Sequence, residues 1–373
     1  MKSKTGQTME ARSAAPKPAF GTTVPWFRAQ VLGDNSAFTF DTVAGRPVVL
    51  FFMGSAGNPG IKNALDGMLG FARFFDDAHC CFFGISTDPE DVAAGRIKNR
   101  VPGIRYFLDF DRAISLAYGA CGSGSDRYEP FVLVLDRQLR VAGAYPPESY
   151  SDALLVAKQL VQDPAAQLWA PVLQVPRIFE PELCRHLIEL YEEQGGVESG
   201  FMREIDGKTV VAHDYSHKRR SDVTISNESL RRALADRINQ RLRPMIKRIF
   251  NFDATRMERY LVACYDSAVA GHFRPHRDNT TKGTAHRRFA VTINLNGDFI
   301  GGDLCFPEYG PRTYRAPTGG AIVFSCGLLH EAKPVTEGRR YAFLPFLYDE
   351  AAAALREKNN VHLGEAVAPY RQS

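Results

Sequence analysis

The sequence predicts a two-domain chain of mixed α/β and α+β class, an α/β layer followed by a helical lead-in and a double-sheet jelly roll. Three observations carry this. The 373 residues suit two domains of ordinary size. Between residues 47 and 144, short apolar runs alternate with helical patterns, the signature of a sheet covered by helices. After residue 260 the pattern changes to short strands punctuated by Gly and Pro, the spacing of a double-sheet β fold. The composition agrees: 45% of residues are hydrophobic, enough for packed cores, and disordered, collagen-like and coiled-coil classes are excluded.

In the first half, residues 46–54 (RPVVLFFMG) read as a buried strand, and Ile61, Leu65, Met68, Ala72 and Phe75 then recur at helical spacing. Residues 81–87, 104–109 and 131–136 are further strands, and 139–144 is the partner of the last across a short turn. A helical stretch over 151–168 leads to a boundary near 165–172. The expected division is therefore a disordered polar N-terminus over 1–20, a first domain over 21–165 and a second over 166–373. In the second, Leu183, Leu187, Ile188 and Tyr191 mark one amphipathic helix. Leu230, Leu234, Ile238, Leu242, Met245 and Ile249 mark a longer one that contains Pro244. Strands follow over 260–265, 289–295, 303–306, 321–325 and 341–348.

The formal net charge of +4 is too small to imply nucleic acid or a membrane as the main partner. No apolar run approaches the roughly 20 residues of a membrane span, and residues 1–20 lack the apolar stretch of a signal peptide. The seven cysteines, 80, 81, 121, 184, 264, 305 and 326, are odd in number and lack paired metal spacing. That suits reduced thiols and a cytoplasmic location. Between residues 217 and 248 Lys and Arg outnumber acids, but no aromatics interleave, so a solvated helix face explains them better than nucleic acid.

The chemistry concentrates in GHFRPHRDN (271–279) and GLLHEAKPVTEGRRY (327–341). His276 and Asp278 are two apart, so on an extended strand both side chains leave one face and can share a metal. His330 is the third ligand candidate. Two histidines and a carboxylate form the facial triad of non-haem Fe(II) oxygenases, with positions left open for a co-substrate and dioxygen. Ten residues further on, Arg340 can grip a carboxylate with two parallel hydrogen bonds. Arg339 is its rival, and neighbours on a strand face opposite ways, so only one of them points inward.

Two resemblances sharpen this reading. The first half, through VVLFF, GISTDPEDV, FLDFDRAISLAYGAC and FVLVLD, resembles the thioredoxin-like peroxiredoxin family. Where that family carries Thr/Ser-x-x-Cys-Pro, this chain has Ser55-Ala-Gly-Asn58-Pro59. A carboxamide cannot form a thiolate, so peroxidase chemistry is absent there. Asn58 as a helix N-cap, with Pro59 at the first helical position, fits better. Neighbouring Cys80 and Cys81 and lone Cys121 read as core residues.

The second half resembles the Fe(II)/2-oxoglutarate-dependent dioxygenase superfamily in its prolyl 4-hydroxylase-like branch. The residues are PELCRHLIELYEE, CYDSAVAGHFRPHRDN, LNGDFIGGDLCFPEYG and APTGGAIVFSCGLLHEAKPVTEGRRY. The resemblance implies a double-stranded β-helix, His276, Asp278 and His330 as iron ligands, and Arg340 as the clamp on 2-oxoglutarate. Tyr265 and Thr292 are further co-substrate contacts. It also implies hydroxylation of an unactivated carbon, with release of succinate and CO2, and ascorbate as a possible reductant.

The same residues admit competing readings. His276-Arg-Asp-Asn spells part of a kinase catalytic loop, but no glycine-rich loop or Asp-Phe-Gly accompanies it. His272 lies about 13 Å of strand from His276, so it is at most an outer hydrogen-bonding partner of the ligands. Zinc also takes three protein ligands and a water, and Arg340 speaks against that. Two other function classes remain beside the oxygenase: a peroxiredoxin-like thiol protein, which Asn58 opposes, and a docking scaffold with a structural metal. The first domain is also a candidate homodimer module. Substrate identity, small-molecule or peptidyl, is not encoded, nor is the choice among hydroxylation, desaturation and cyclisation.

Overall fold

The computed structural model describes residues 16–33, 38–122, 127–163 and 168–371. In the first half the run Val48–Gly54 is a strand, β1, buried at every position. It lies at the centre of a five-stranded sheet with Cys81–Ser86 (β2), Ile104–Leu108 (β3), Phe131–Leu135 (β4) and Val141–Tyr145 (β5), in the order β3-β2-β1-β4-β5. β1, β2 and β3 run parallel, while β4 and β5 are antiparallel additions. The continuous apolar run follows from burial on both faces. Val49, Phe51 and Met53 alternate onto the face covered by Pro59–Leu69 (α1) and Tyr150–Gln162 (α2). The opposite face is an aromatic layer in which Phe83 stacks on Phe107 at 5.0 Å.

Asn58 caps α1, its side chain accepting from the Gly60 N–H, and Pro59 opens the helix. The helical spacing extended through Ala72 and Phe75, but α1 stops at Leu69, and Ala72 lies in a separate 3-10 turn, Ala72–Phe74. Gly70 at the break disfavours a further helical turn. Of the expected disordered segment, 1–15 lies outside the described residues, whereas Lys17 is anchored on Glu129 at 3.1 Å and over the Phe131 ring. Residues 164–167 of the expected helical stretch also lie outside the described residues, and α2 has ended at Gln162.

Interresidue contacts divide the chain after Leu168. In the second unit Leu173–Val175 is β6, and Pro181–Gln194 forms α3 with its apolar residues at the predicted spacing. The single long helix predicted around Pro244 is instead two helices. Glu228–Arg237 (α4) passes into a π-helical turn, Ile238–Leu242, and Arg243–Phe250 (α5) restarts with Pro244 in its first turn. Proline has no N–H to give the preceding turn, so the ladder widens there instead of continuing. Both helices still present one apolar stripe: Leu234, Ile238, Leu242 and Ile246 are all buried.

That stripe packs on a large antiparallel sheet. Its strands are Ser221–Thr224 (β10), Arg256–Glu258 (β11), Leu261–Asp266 (β12), Phe289–Asn294 (β14), Arg339–Phe343 (β19) and Phe346–Tyr348 (β20), in the order β11-β20-β14-β19-β12-β10. Ala321–Ser325 (β17) pairs with β14 and with β6. A smaller sheet runs Lys218–Arg219 (β9), His272–His276 (β13), His330–Ala332 (β18), Leu304–Cys305 (β15) and Thr313–Tyr314 (β16) in the order β9-β13-β18-β15-β16. These two sheets are the predicted jelly roll. Period 2 sorts the residues: Val262, Cys264, Val291, Ile293, Tyr341 and Phe343 join the helix-covered core. Their strand neighbours Tyr265, Thr292 and Arg340 turn to the other face, toward the small sheet.

Several elements have no counterpart in the sequence reading, a hairpin and a helix among them. Phe201–Ile205 (β7) and Lys208–Ala212 (β8) form a hairpin closed by Asp206-Gly207, both with positive φ, 49° and 73°. Asp-Gly is a type I′ turn signal, but the flanking residues are largely exposed and lack apolar alternation. Glu350–Lys358 is a C-terminal helix, α6, capped by Asp349.

Candidate metal centre

His276 ends β13 and His330 opens β18, and the two are direct cross-strand partners. His330 follows β17 in the chain. The structure puts a turn and a new strand between, and that new strand carries the histidine to the small sheet. β13 is irregular between Phe273 and His276, and it stops before Asp278, whose N–H bonds to the Cys326 carbonyl. The shared-strand-face expectation is therefore replaced by a strand end plus one turn residue, which brings the carboxylate back beneath both imidazoles.

The candidate ligand atoms of His276, Asp278 and His330 all lie within 4.8 Å of one another. The His276 Nε2 is 3.6 Å from Asp278 Oδ1, and the His330 Nε2 is 3.3 Å from Asp278 Oδ2. Donors bound at about 2.0–2.2 Å to one ion stand about 3 Å apart when mutually cis, so these separations suit a single cation. Orientation is fixed from behind. The His276 Nδ1 bonds to the Arg274 carbonyl at 2.7 Å and the His330 Nδ1 to the Leu328 carbonyl at 3.0 Å. A ring nitrogen facing a carbonyl must carry the proton, so each Nε2 presents its lone pair inward. Burial, and next the neighbouring His330, push the His276 pKa down to about 4. A neutral imidazole lone pair thus faces a carboxylate, an arrangement that needs a cation to be favourable.

Aromatic rings wall the histidines: Phe273 stacks on His276 at 3.4 Å, and Phe324 meets His330 edge-on at 4.6 Å. His272 plays no part. Its two ring nitrogens bond the Ala270 and Ser216 carbonyls.

Across the cavity, on the large sheet, Arg340 is 3% exposed. Its rival Arg339 is outside, paired with Asp266 at 2.8 Å and Glu192 at 3.3 Å. The Arg340 guanidinium donates from Nε to Asn294 Oδ1 (3.2 Å), from Nη1 to the Gly302 carbonyl (2.8 Å) and from Nη2 to Thr292 Oγ1 (3.0 Å). Guanidinium has five N–H groups. One N–H on each terminal nitrogen therefore remains, the pair a carboxylate would take. Tyr265 is the cross-strand partner of Arg340, and its ring lies 5.3 Å from the guanidinium carbon. Thr292 acts first as a support for Arg340, with its own O–H left to donate.

Asn294 and Gly302 escaped the sequence reading. The available signal was Gly301-Gly302, both with positive φ. A Cβ at Gly302 would stand 2.8 Å from Val335 and 3.2 Å from the Arg340 stem, so only glycine lets its carbonyl approach the guanidinium. Arg220 and Arg259, which line the same cavity, were also missed.

All seven cysteines are buried and none forms a disulfide. Burial pushes Cys81 up to about 11 and raises Cys80 and Cys121 as well, which disfavours thiolate chemistry.

Two family models match segments of the chain. Residues 260–348 match the family model described as the 2OG-Fe(II) oxygenase superfamily, and residues 20–144 match that of the AhpC/TSA family. Two PKHD-type hydroxylases from Synechococcus strains are each 28% identical over 89 residues, 22% of this chain. The chain spans 39% of the length of these curated relatives. Among solved structures, a Trichoplax adhaerens prolyl hydroxylase, in complex with a hypoxia inducible factor peptide fragment, is 20% identical over 49% of this chain and 86% of its own, with TM-score 0.38. A Pseudomonas putida prolyl-4-hydroxylase is 18% identical over 48% of this chain and 94% of its own, with TM-score 0.37. A Mycobacterium tuberculosis peroxidoxin is 20% identical over 38% of this chain and 98% of its own, with TM-score 0.33. The chain thus joins a segment that matches the AhpC/TSA family model to one that matches the 2OG-Fe(II) oxygenase model, and among its described residues no helix is long and apolar enough to cross a membrane.

Proposed function

We propose that the second unit is an Fe(II)- and 2-oxoglutarate-dependent dioxygenase that hydroxylates an unactivated carbon of a small-molecule or peptidyl substrate. One observation carries the reading. Two lone-pair nitrogens and a carboxylate converge on the small sheet, and the buried guanidinium of Arg340 faces the same cavity with two N–H groups to spare. His276, Asp278 and His330 would hold the metal, and Arg340 the distal carboxylate of the co-substrate. Fe(II) with 2-oxoglutarate supplies oxidative chemistry that couples dioxygen to C–H hydroxylation and releases succinate and CO2.

The chain's own residues position and exclude. Arg340 grips a carboxylate bidentately while Thr292, Asn294 and the Gly302 carbonyl stop the guanidinium from turning. Thr292 donates its hydroxyl proton to the same carboxylate. Tyr265 covers the guanidinium face and keeps water from it. Phe273, Phe306 and Phe324 keep the metal's surroundings apolar, which strengthens every charge interaction inside. The first unit serves as a docking or dimerisation module, a role supported by Asn58 replacing a nucleophile. Ascorbate as reductant and a cytoplasmic setting belong to the same proposal.

The test is succinate release from 2-oxoglutarate by protein loaded anaerobically with Fe(II), on admission of air. The reading expects slow turnover without substrate, lost in His276→Ala and demanding far more 2-oxoglutarate in Arg340→Ala. Protein that binds neither Fe(II) nor 2-oxoglutarate would overturn it.

A further inference from the structure

The cavity holds more positive charge than the metal and co-substrate reading consumes. Arg220 and Arg259 line it together with Arg340. Arg220 is 7% exposed, and it donates from Nη2 to Asp222 Oδ2 (2.7 Å) and Ser199 (3.1 Å), and from Nη1 to the Tyr265 hydroxyl (3.5 Å). Its Nε–H is buried with no partner. Arg259 is less satisfied still. Among the described residues it makes no hydrogen bond, and its nearest carboxylate oxygen is the same Asp222 Oδ2, at 3.6 Å. One acid therefore serves two guanidinium groups.

The other cations nearby are spoken for. Lys218 donates to Ser199 and the Gly200 carbonyl, and Arg287 is paired with Glu258. Arg259 alone among them is held with a left-handed backbone, φ 69°, in the turn between β11 and β12, and its guanidinium lies over Phe346. A non-glycine residue in that conformation costs about 1 kcal/mol or more and persists at sites where the side chain's direction matters. Burial, and next the repulsion of Arg220, lower the Arg259 pKa to about 10. Its side chain keeps 29% exposure, so an incoming group can reach it from solvent.

We propose that the substrate of this site is a carboxylic acid whose carboxylate docks between Arg220 and Arg259, taking the unpartnered Nε–H and the free Arg259 fork. This rests on the oxygenase reading, which assigns Arg340 to the co-substrate and leaves these two arginines for the substrate. Arg220 and Arg259 line one cavity and share the Asp222 Oδ2 contact, so charged N–H donors of both stand at one place, and such donors suit a carboxylate. The anion fixes which end of the substrate enters, so its distance from the reactive carbon sets the position oxidised.

The test uses the full chain with redox-silent Mn(II) and saturating 2-oxoglutarate, so that Arg340 is occupied. Benzoate, its neutral isostere benzamide and inorganic phosphate are titrated calorimetrically into wild type, Arg220→Gln, Arg259→Gln and Arg340→Gln, each checked for folding by circular dichroism. Benzoate is expected to bind wild type and benzamide not, with affinity falling about tenfold or more in Arg259→Gln and Arg220→Gln. Because Arg259 is partly exposed, its variant remains informative if Arg220→Gln fails to fold. Absence of benzoate binding to wild type, equal binding of benzamide, or undiminished benzoate affinity in Arg259→Gln overturns the proposal. Binding of phosphate in place of benzoate overturns the carboxylate assignment. A wild type that takes benzoate but not 2-oxoglutarate fails the oxygenase reading separately.

Discussion

Two polar clusters, one in each unit, sit at strand ends where a fold of that kind carries chemistry, and they differ in how their groups are satisfied. Beside Asn58 every group is answered from within. Asn58 accepts from Gly60, Ser55 donates to Asp88 at 2.6 Å, and Asp91 accepts from the Ala56 N–H at 2.9 Å and from Ser86 at 2.7 Å. Arg96 stands 3.3 Å from both carboxylates. Around Asp278 the front atoms are acceptors turned on one another, and the hydrogen bonds lie behind them. A cluster that has closed on itself stabilises its own unit. One that leaves like groups face to face gives up stability until a ligand arrives.

The strongest way to break that contrast is at the triad. Asp278→Asn or His276→Ala is expected to weaken Mn(II) affinity by about 100-fold or more, since loss of mere outer partners costs 10–100-fold. Titration monitored by the metal's electron paramagnetic resonance would show it, and retained affinity would return the cluster to a structural role. Next, Arg340→Gln is expected to raise the 2-oxoglutarate requirement for succinate formation by about 100-fold, the loss of a charge-assisted pair of bonds worth about 3 kcal/mol. Arg340→Lys should recover little of it, because an ammonium cannot supply the fork.

Stability sharpens the comparison elsewhere in the second unit. Buried Glu258 is surrounded by Arg287 (2.7 Å), Arg356 (2.6 Å) and His286 (3.2 Å). Burial opposes its charge, but the Arg287 guanidinium first, with the His286 contact and Arg356, holds its carboxyl well below the usual range. The folded pKa is depressed, so the stabilisation is complete above the unfolded value near 4.3 and fades as pH falls below it. Glu258→Gln should cost about 3 kcal/mol at pH 7, with the gap to wild type narrowing at pH 3 in thermal melts. An unchanging gap would mean that packing, not charge, holds this corner. Asn294→Ala removes one anchor of Arg340 and should raise the 2-oxoglutarate requirement about tenfold without altering metal affinity. Smallest, Asn58→Ala should lower the first unit's stability by about 1 kcal/mol, the worth of an N-cap, and leave succinate formation unchanged. A fall in turnover there would show that the self-satisfied cluster still works.

Much of this was legible in the sequence. Asn58-Pro59 announced a helix start, and the apolar periods of β1, β2, β4 and α3 placed the cores, because burial on a known period leaves a local trace. Residue type and spacing singled out His276, Asp278, His330 and Arg340 as candidates, while the strand rule said only that one of Arg339 and Arg340 points inward, and the resemblance named Arg340. The π turn before Pro244, the Asp206-Gly207 hairpin and α6 were not read: the first depends on how a proline is absorbed, and the hairpin faces solvent on most of its positions. Asn294, Arg220 and Arg259 were invisible for another reason. Asn294 meets Arg340, 46 residues on, and Arg220 meets Tyr265, 45 residues on, and an isolated Asn or Arg looks the same whether it holds a site or faces water.

The division of the site between two sheets has a geometric consequence. The triad belongs to the small sheet and Arg340 to the large one, and packed sheets keep a spacing of about 10 Å. On the proposed reading the sandwich acts as a calliper for a molecule that touches both jaws. No single side-chain replacement resets the gap. A change in the preferred length of the bridging diacid would have to come from strand twist and core packing between the sheets, so the gauge is a property of the fold, guarded by the same residues that keep it folded.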